Sequence, residues 1–252
     1  MLDFEPDEEQ IQIKDAIQKL AVGELGPAAR QADTDGEMSA TILDVLWGTG
    51  FPLLQGEQSS DRSPVLNAIV LEELAVADAT GALALAAPVA FLQALLDQGS
   101  RAQCSTLLPM FQGDNFHAAA IAVLEPRLGA DVSELVSEAV RDGDGWRLNG
   151  HKALVPLAST ASHFLVIAKT DKGRDAFIVE RETAGVCVEE PVPTLGLRAL
   201  GLGGVVFKDV QLGVSQRLGD RGEVDVQRII DASRIGLAAV MTGLARGVLE
   251  YV

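Results

Sequence analysis

The chain has 252 residues, 48% of them hydrophobic, which is enough for one sizeable core or two smaller ones. Its 36 acidic and 20 basic residues give a formal net charge of -16, so a polyphosphate track is repelled and nucleic acid is excluded as a partner. The first residues, MLDFEPDEEQ, have no basic region followed by an apolar core, so no secretory leader is expected and a cytoplasmic location is. Cys104 and Cys187 stand far apart with no ligand spacing, which predicts two buried thiols and no metal site.

From Asp7 to Leu25, Ile13, Ile17, Leu20 and Val22 recur near helical spacing, and Asp7, Glu8 and Glu9 suit the positive end of a helix dipole. Ser39 is placed to cap a second helix running to Trp47, stopped by Gly48 and Gly50 before a turn at Phe51-Pro52. Ser63-Pro64 supplies a cap and a proline at the first helical position of a third helix, expected to stop at Gly81. Glu72, Glu73 and Asp78 are expected on its solvated acidic face. Ala82 to Gln98 and, after the capping Ser100, Arg101 to Phe111 are apolar enough to be interior helices. The most apolar run, Gly81 to Leu96, contains Pro88 and Gln93 and falls short of the ~20 apolar residues of a membrane span. It is expected to be a buried helix.

At Gly113 the period changes from helix to strand. AAIAVLE, ELVSEAV, WRLNG, FLVIAK, AFIVER, GVCVEE and GGVVFKDVQL are short segments separated by turn residues. Asp142-Gly143-Asp144-Gly145 and Asp171-Lys172-Gly173-Arg174 each read as a tight hairpin. After Gly222 the helical period returns in Val226, Ile229, Ile230, Ser233, Leu237, Val240, Met241, Leu244, Val248 and Leu249. Gly236, Gly243 and Gly247 allow another helix to come close. A stripe this long exceeds the apolar patch normal for a monomer, so it is expected to be covered either by more chain or by another subunit. The predicted fold is α+β and multidomain. A helical N-terminal domain (1–115) precedes a middle antiparallel β-barrel or sandwich domain (116–222) and the start of a C-terminal helical bundle (223–252).

Four local patterns fall in this frame. Ile121-Ala122-Val123-Leu124-Glu125-Pro126 with Gly129-Ala130-Asp131 is the first, and Asn149-Gly150-His151-Lys152 the second. Leu195-Gly196-Leu197-Arg198 with Val206-Phe207-Lys208-Asp209-Val210 is the third, and Asp231-Ala232-Ser233-Arg234 the fourth. In this order the chain resembles the acyl-CoA dehydrogenase family, in which a T-E-P-x-x-G-S-D loop and an N-G-x-K-x-W-I-T strand enclose a flavin ring. The resemblance implies FAD held by Val123, Leu124, Glu125 and Gly129 from the first pattern and by Leu154, Val155 and Pro156 after the second. It implies substrate contacts at Ala130 and Arg234. The family's two threonines and its tryptophan correspond to Leu124, Pro156 and Leu154. Backbone N-H groups at a strand end followed by a glycine loop supply fixed donors without bulky side chains, and such donors stabilise an anionic reduced flavin.

The resemblance places the catalytic base either in later helices or at Ser233, which cannot act as a base, so no catalytic residue is expected within these residues. Arg234 is expected either to position base or substrate or to pair with Asp231 one helical turn away, and Arg198 has the same two options. Glu125 is read as structural, accepting backbone bonds beside Pro126. His117, His151 and His163 share no ligand spacing, and Gly201, Gly203 and Gly204 lack the lysine and helix start of a phosphate loop. Three functions stay open. One is a flavoprotein subunit of lipid metabolism that dehydrogenates an acyl-CoA thioester at the alpha,beta bond. It would pass electrons to electron-transfer flavoprotein and form a homo- or hetero-oligomer through the last helix. Another is a non-catalytic scaffold subunit of a heteromeric dehydrogenase with no flavin site of its own, favoured by Leu124, Leu154 and Pro156. A non-dehydrogenase user of the same fold, such as a flavin monooxygenase, is a third.

Overall fold

A computed structural model describes residues 6–50, 63–127, 132–220, 222 and 224–252. The turn expected at Phe51-Pro52 and the loop Gly129-Ala130-Asp131 lie outside the described residues.

Helix α1 (Glu8–Leu20) starts at an Asp7 cap whose side chain accepts from Gln10 N, while Gln10 Oε1 accepts from Asp7 N. The helix does not end at Leu25. It widens into a π turn over Ala21–Leu25 and continues as α2 (Gly26–Asp35), closed by Gly36 at φ +73°. Pro27 explains the widening: its ring crowds the carbonyl four residues back, and a looser turn there lets the chain continue without a break. Helix α3 (Ala40–Trp47) is capped by Ser39, as its sequence predicts.

Helix α4 (Pro64–Ala77) begins at the expected Ser63 cap but stops short of Gly81. Asp78 adopts an extended backbone, and its carboxylate accepts from Thr80 N at 3.0 Å and Gly81 N at 2.9 Å, starting α5 (Ala79–Gln98). Asp78 is therefore a cap and not part of a solvated face. Gly81 lies in the first turn of α5, where a Cβ would be 2.5 Å from Leu25 Cδ1, so the glycine serves helix contact, not termination. Glu73 is likewise buried. Helix α5 has 20 residues and is, by length and composition, apolar enough to cross a membrane, against the expectation of too short a run. Of its most apolar window 72% is buried inside the protein, as befits a core helix. Helix α6 (Arg101–Leu107) runs into a single 3-10 turn ending at Phe111.

Seven strands follow: β1 (Ala119–Ala122), β2 (Glu138–Asp142), β3 (Gly145–Val155), β4 (His163–Thr170), β5 (Gly173–Glu180), β6 (Val186–Val188) and β7 (Gly203–Leu212). They form one sheet in the order β1-β4-β2-β3-β7-β6, with β5 also paired to β4. Most pairs are antiparallel; β1 and β2 each meet β4 in parallel. Both expected hairpins form, with Asp142 opposite Gly145 and Thr170 opposite Gly173. Strand β4 is buried along nearly its whole length, so its Phe164-Leu165-Val166-Ile167 run shows no alternation. Cys104 is buried, but Cys187 is exposed, because edge strand β6 turns it outward.

The last helix, α7 (Val226–Tyr251), lies on α4 and α5. Side chains at Gly243 and Gly247 would collide with the backbone carbonyls of Glu72 and Val76, so the predicted close approach occurs at these two glycines. Val226, Ile229, Ile230 and Val240 face inward, while Ile235, Leu237, Met241, Leu244, Val248 and Leu249 are exposed. The apolar stripe is thus two faces, one packed and one open. By length and composition α7 is also apolar enough to cross a membrane.

Candidate functional site

The end of β1 and the middle of β3 meet through a buried polar junction. Lys152 has no solvent exposure, and its Nζ donates to Val123 O and to Glu125 Oε1, each at 3.0 Å. The Glu125 carboxylate also accepts from the amides of Val136 (2.7 Å) and Ser137 (2.8 Å), tying the approach to β2 into the same junction. Burial alone would raise the Glu125 pKa. The Ser137 hydroxyl, these two amides and Lys152 override that and hold it down to about 2. Burial pulls Lys152 below its ordinary value, with Glu125 opposing. The cost of burying the cation and the gain of the carboxylate run in opposite directions, so the pair's net stabilisation is smaller than the Glu125 shift alone.

This bears out the structural role expected for Glu125 and supplies a partner that sequence reasoning missed. The missed signal was Lys152 itself: it shares a face of β3 with buried Trp146 and Leu148.

Two bulges shape the rest of the site. Between the pairs Leu148–Val210 and Gly150–Phe207, β7 has one extra residue, near Asp209 at φ +50°; between Lys152–Val205 and Val155–Gly203, β3 has one extra. The second bulge lets both Lys152 and Val155 point inward and throws Leu154 out, at φ +52° and 46% exposed. Ala153 N donates to Leu124 O at 2.9 Å, so Val123, Leu124 and Glu125 lie directly against the segment holding Leu154, Val155 and Pro156. Pro156, half-buried, offers no N-H. The backbone N-H groups of Leu124 and Glu125 have no partner among the described residues.

The remaining candidates fall elsewhere. Arg234 projects from α7 and bonds Asp231 at 3.3 Å, while Ser233 Oγ donates to Ile229 O. Arg198 pairs with Asp33 of α2 at 3.1 Å. His151 meets Glu189 at 2.9 Å on the exposed sheet face, and His117 and His163 share the Ser162 hydroxyl at 2.8 and 2.9 Å. Gly203 and Gly204 open β7.

Two family models match in sequence order: the acyl-CoA dehydrogenase N-terminal domain over residues 7–114 and the acyl-CoA dehydrogenase middle domain over residues 120–210. The chain belongs to the acyl-CoA dehydrogenase family. Among curated proteins, the short/branched chain specific acyl-CoA dehydrogenase of Bos taurus is 30% identical over 97% of this chain and 59% of its own length. Among solved structures, butyryl-CoA dehydrogenase from Megasphaera elsdenii superposes with a TM-score of 0.86 at 26% identity, covering 99% of this chain and 69% of that one. The FAD complex of PigA gives a TM-score of 0.87 at 25% identity, covering 99% and 68%. The chain therefore spans about three fifths of the length of the bovine relative. Its architecture of helical domain, β domain and long helix is that of the family.

A flavin is a planar apolar ring with a polar pyrimidine edge, and the family's cofactor makes two demands of this site. To the polar one the backbone offers two N-H groups, on consecutive residues, that have no partner among the described residues. The Leu154 side chain, at the position of the family's tryptophan, is exposed and apolar. Hydroxyl contacts are absent at Leu124 and Pro156. The residues present fit FAD through backbone and apolar surface. Gly129 and Ala130, the other expected contacts on the first motif, lie outside the described residues.

Proposed function

We propose that this chain is a flavoprotein subunit that dehydrogenates an acyl-CoA thioester at its alpha,beta bond. The observation that carries the reading is the pair of N-H groups at Leu124 and Glu125 that have no partner among the described residues, at the junction where Ala153 N bonds Leu124 O and the two family motifs meet. Val123 to Glu125 with Gly129 hold the pyrimidine edge of FAD, and Leu154, Val155 and Pro156 line the ring. Bound FAD supplies the acceptor for the hydride leaving the beta carbon, while the alpha proton goes to a base from outside these residues. Asp231 and Ser233 do not fill that role: the first is bonded to Arg234 and the second to its own helix. Ala130 contacts substrate, Arg234 being paired with Asp231, and electron-transfer flavoprotein takes the electrons onward in the cytoplasm. The domains run 1–115, 116–222 and 223–252, and the open face of α7 joins a homo- or hetero-oligomer.

The test is to purify the chain alone and with a candidate partner subunit and to record absorption in the flavin bands before and after adding acyl-CoA. Stoichiometric FAD bleached by an acyl-CoA is the expected result. FAD appearing in the complex but never on this chain's own site favours the scaffold subunit, and no flavin in any company overturns the dehydrogenase reading.

A further inference from the structure

The two N-H groups at the β1 end belong to peptide units whose carbonyls are both occupied from the opposite side. In a trans peptide the C=O and N-H point in opposite directions, so a donor on the carbonyl polarises the N-H across the plane. The Val123–Leu124 peptide receives Lys152 Nζ on Val123 O at 3.0 Å; the Leu124–Glu125 peptide receives Ala153 N on Leu124 O at 2.9 Å. The first of these is charge-assisted and the second is neutral, and charge-assisted bonds are roughly twice as strong. Lys152 is also wholly buried, so no water screens it, and Glu125 fixes it in place through a carboxylate that is itself anchored by two amides. A lysine needed only to fill space there could be replaced by an apolar side chain without the expense of burying a cation.

We infer that Lys152 is a positioning residue that strengthens the Leu124 N-H as a hydrogen-bond donor toward the flavin edge, acting through the intervening peptide and never touching the cofactor. This rests on the proposed flavin site and goes beyond it by naming what tunes that site. The reduced flavin carries more negative charge at its pyrimidine edge than the oxidised one, so a stronger donor favours reduction.

The experiment replaces the charge pair without stranding either partner, as Lys152→Met with Glu125→Gln. Lys152→Gln is a second variant, which keeps a neutral donor if the pair change fails to fold. The first readout needs no flavin: the amide proton signal of Leu124 in the isotope-labelled chain. It is expected to move upfield in the charge-free variant, while that of Glu125, governed by Ala153, stays nearly fixed. The second readout is the midpoint potential of bound FAD. The reduced form is expected to lose about tenfold more affinity than the oxidised form, which for a two-electron couple lowers the potential by about 30 mV. A folded variant with an unchanged Leu124 signal and an unchanged potential overturns the inference and leaves Lys152 a packing residue. If the unsubstituted chain binds no FAD in any company, the proposed function fails, and the amide signal alone decides the inference about Lys152.

Discussion

Arg246 of α7 grips two consecutive glutamates of α4, with Nη1 2.6 Å from Glu72 Oε1 and Nη2 2.5 Å from Glu73 Oε2. Glu73 is only 2% exposed, and Lys14 of α1 reaches it at 3.6 Å. One buried carboxylate therefore joins the first, fourth and last helices. Because the two elements are 173 residues apart in sequence, the contact fixes where the last helix lies on the N-terminal domain.

The size of that contribution can be predicted. Arg246→Ala strands Glu73 with the half-exposed Lys14 as its remaining cation, and breaking a buried pair from one side costs about 3–5 kcal/mol. Residual help from Lys14 and partial exposure of Arg246 place the expected loss at or below the lower end, about 2–3 kcal/mol. Pairing Arg246→Met with Glu73→Gln is expected to recover more than half of it. Denaturant midpoints for Arg246→Met, Glu73→Gln and the double variant check this; additive losses would show that the residues are not coupled.

Gly243 makes a sharper test of α7 docking. In an exposed helix Gly→Ala gains about 1 kcal/mol, because alanine loses less backbone entropy. Here the added methyl would collide with the Glu72 carbonyl and lie 2.9 Å from Ala75 Cβ. Neither neighbour is a flexible side-chain end, so the clash outweighs the propensity, and Gly243→Ala is expected to destabilise by about 1–3 kcal/mol. Limited proteolysis should then cleave α7 at a rate raised about five- to 150-fold, at 1.4 kcal/mol per factor of ten. A variant as resistant as the parent would mean that the helices separate without cost.

Local signals in the sequence marked the parts of this fold that are made locally. Ser63-Pro64 starts α4, Ser39 starts α3, and Asp142-Gly143-Asp144-Gly145 turns β2 into β3, each within a few residues. Asp78 was harder: a single extended residue splits what reads as one helical run, and only the bonds from Thr80 N and Gly81 N mark the break. Glu73 reads as solvated because its acidic neighbours are visible and Arg246 is not. The same holds at the candidate site. The motif positions could be placed by pattern, and the structure brings the β1 end against Leu154, Val155 and Pro156. The Lys152–Glu125 pair, 27 residues apart, and the bulge that expels Leu154 arise from strand register, which one strand's sequence does not carry.

Acid should weaken the fold in two stages. His117 and His163 have pKa values below the ordinary 6.5, in both cases mainly through burial; for His163, Glu180 opposes the shift and His117 adds to it. Their unfolded forms bind protons first, so stability is expected to fall as the pH drops below about 6.5. Glu125 adds a second stage: its pKa is about 2 when folded, so its contribution is complete above about 4.5 and lost on the way down to about 2. Lys152 has the same sign at the alkaline end, its burial cost being relieved only as the pH rises. Denaturant titrations at stepped pH check both stages. His117→Asn with His163→Asn should flatten the first and Glu125→Gln the second, and a stage that survives its substitution belongs to another group.

The last prediction returns the family's side chains to the flavin site. Leu154 stands where the family has tryptophan and Pro156 where it has threonine, and Leu154 is already turned outward by the β3 bulge. Leu154→Trp places a larger apolar surface at an exposed position without displacing core, so the fold should tolerate it. An indole against a flavin ring is expected to contribute about 1 kcal/mol beyond the leucine contact. Pro156→Thr restores both a hydroxyl and a backbone N-H, and one hydrogen bond made on binding contributes about 1 kcal/mol. Together the changes are expected to tighten FAD binding by about one to two orders of magnitude at 1.4 kcal/mol per factor of ten. Fluorescence titration of FAD into the parent and the double variant measures this directly. Equal affinities would mean that the ring does not lie against Leu154, and would count against the site while leaving the family assignment standing.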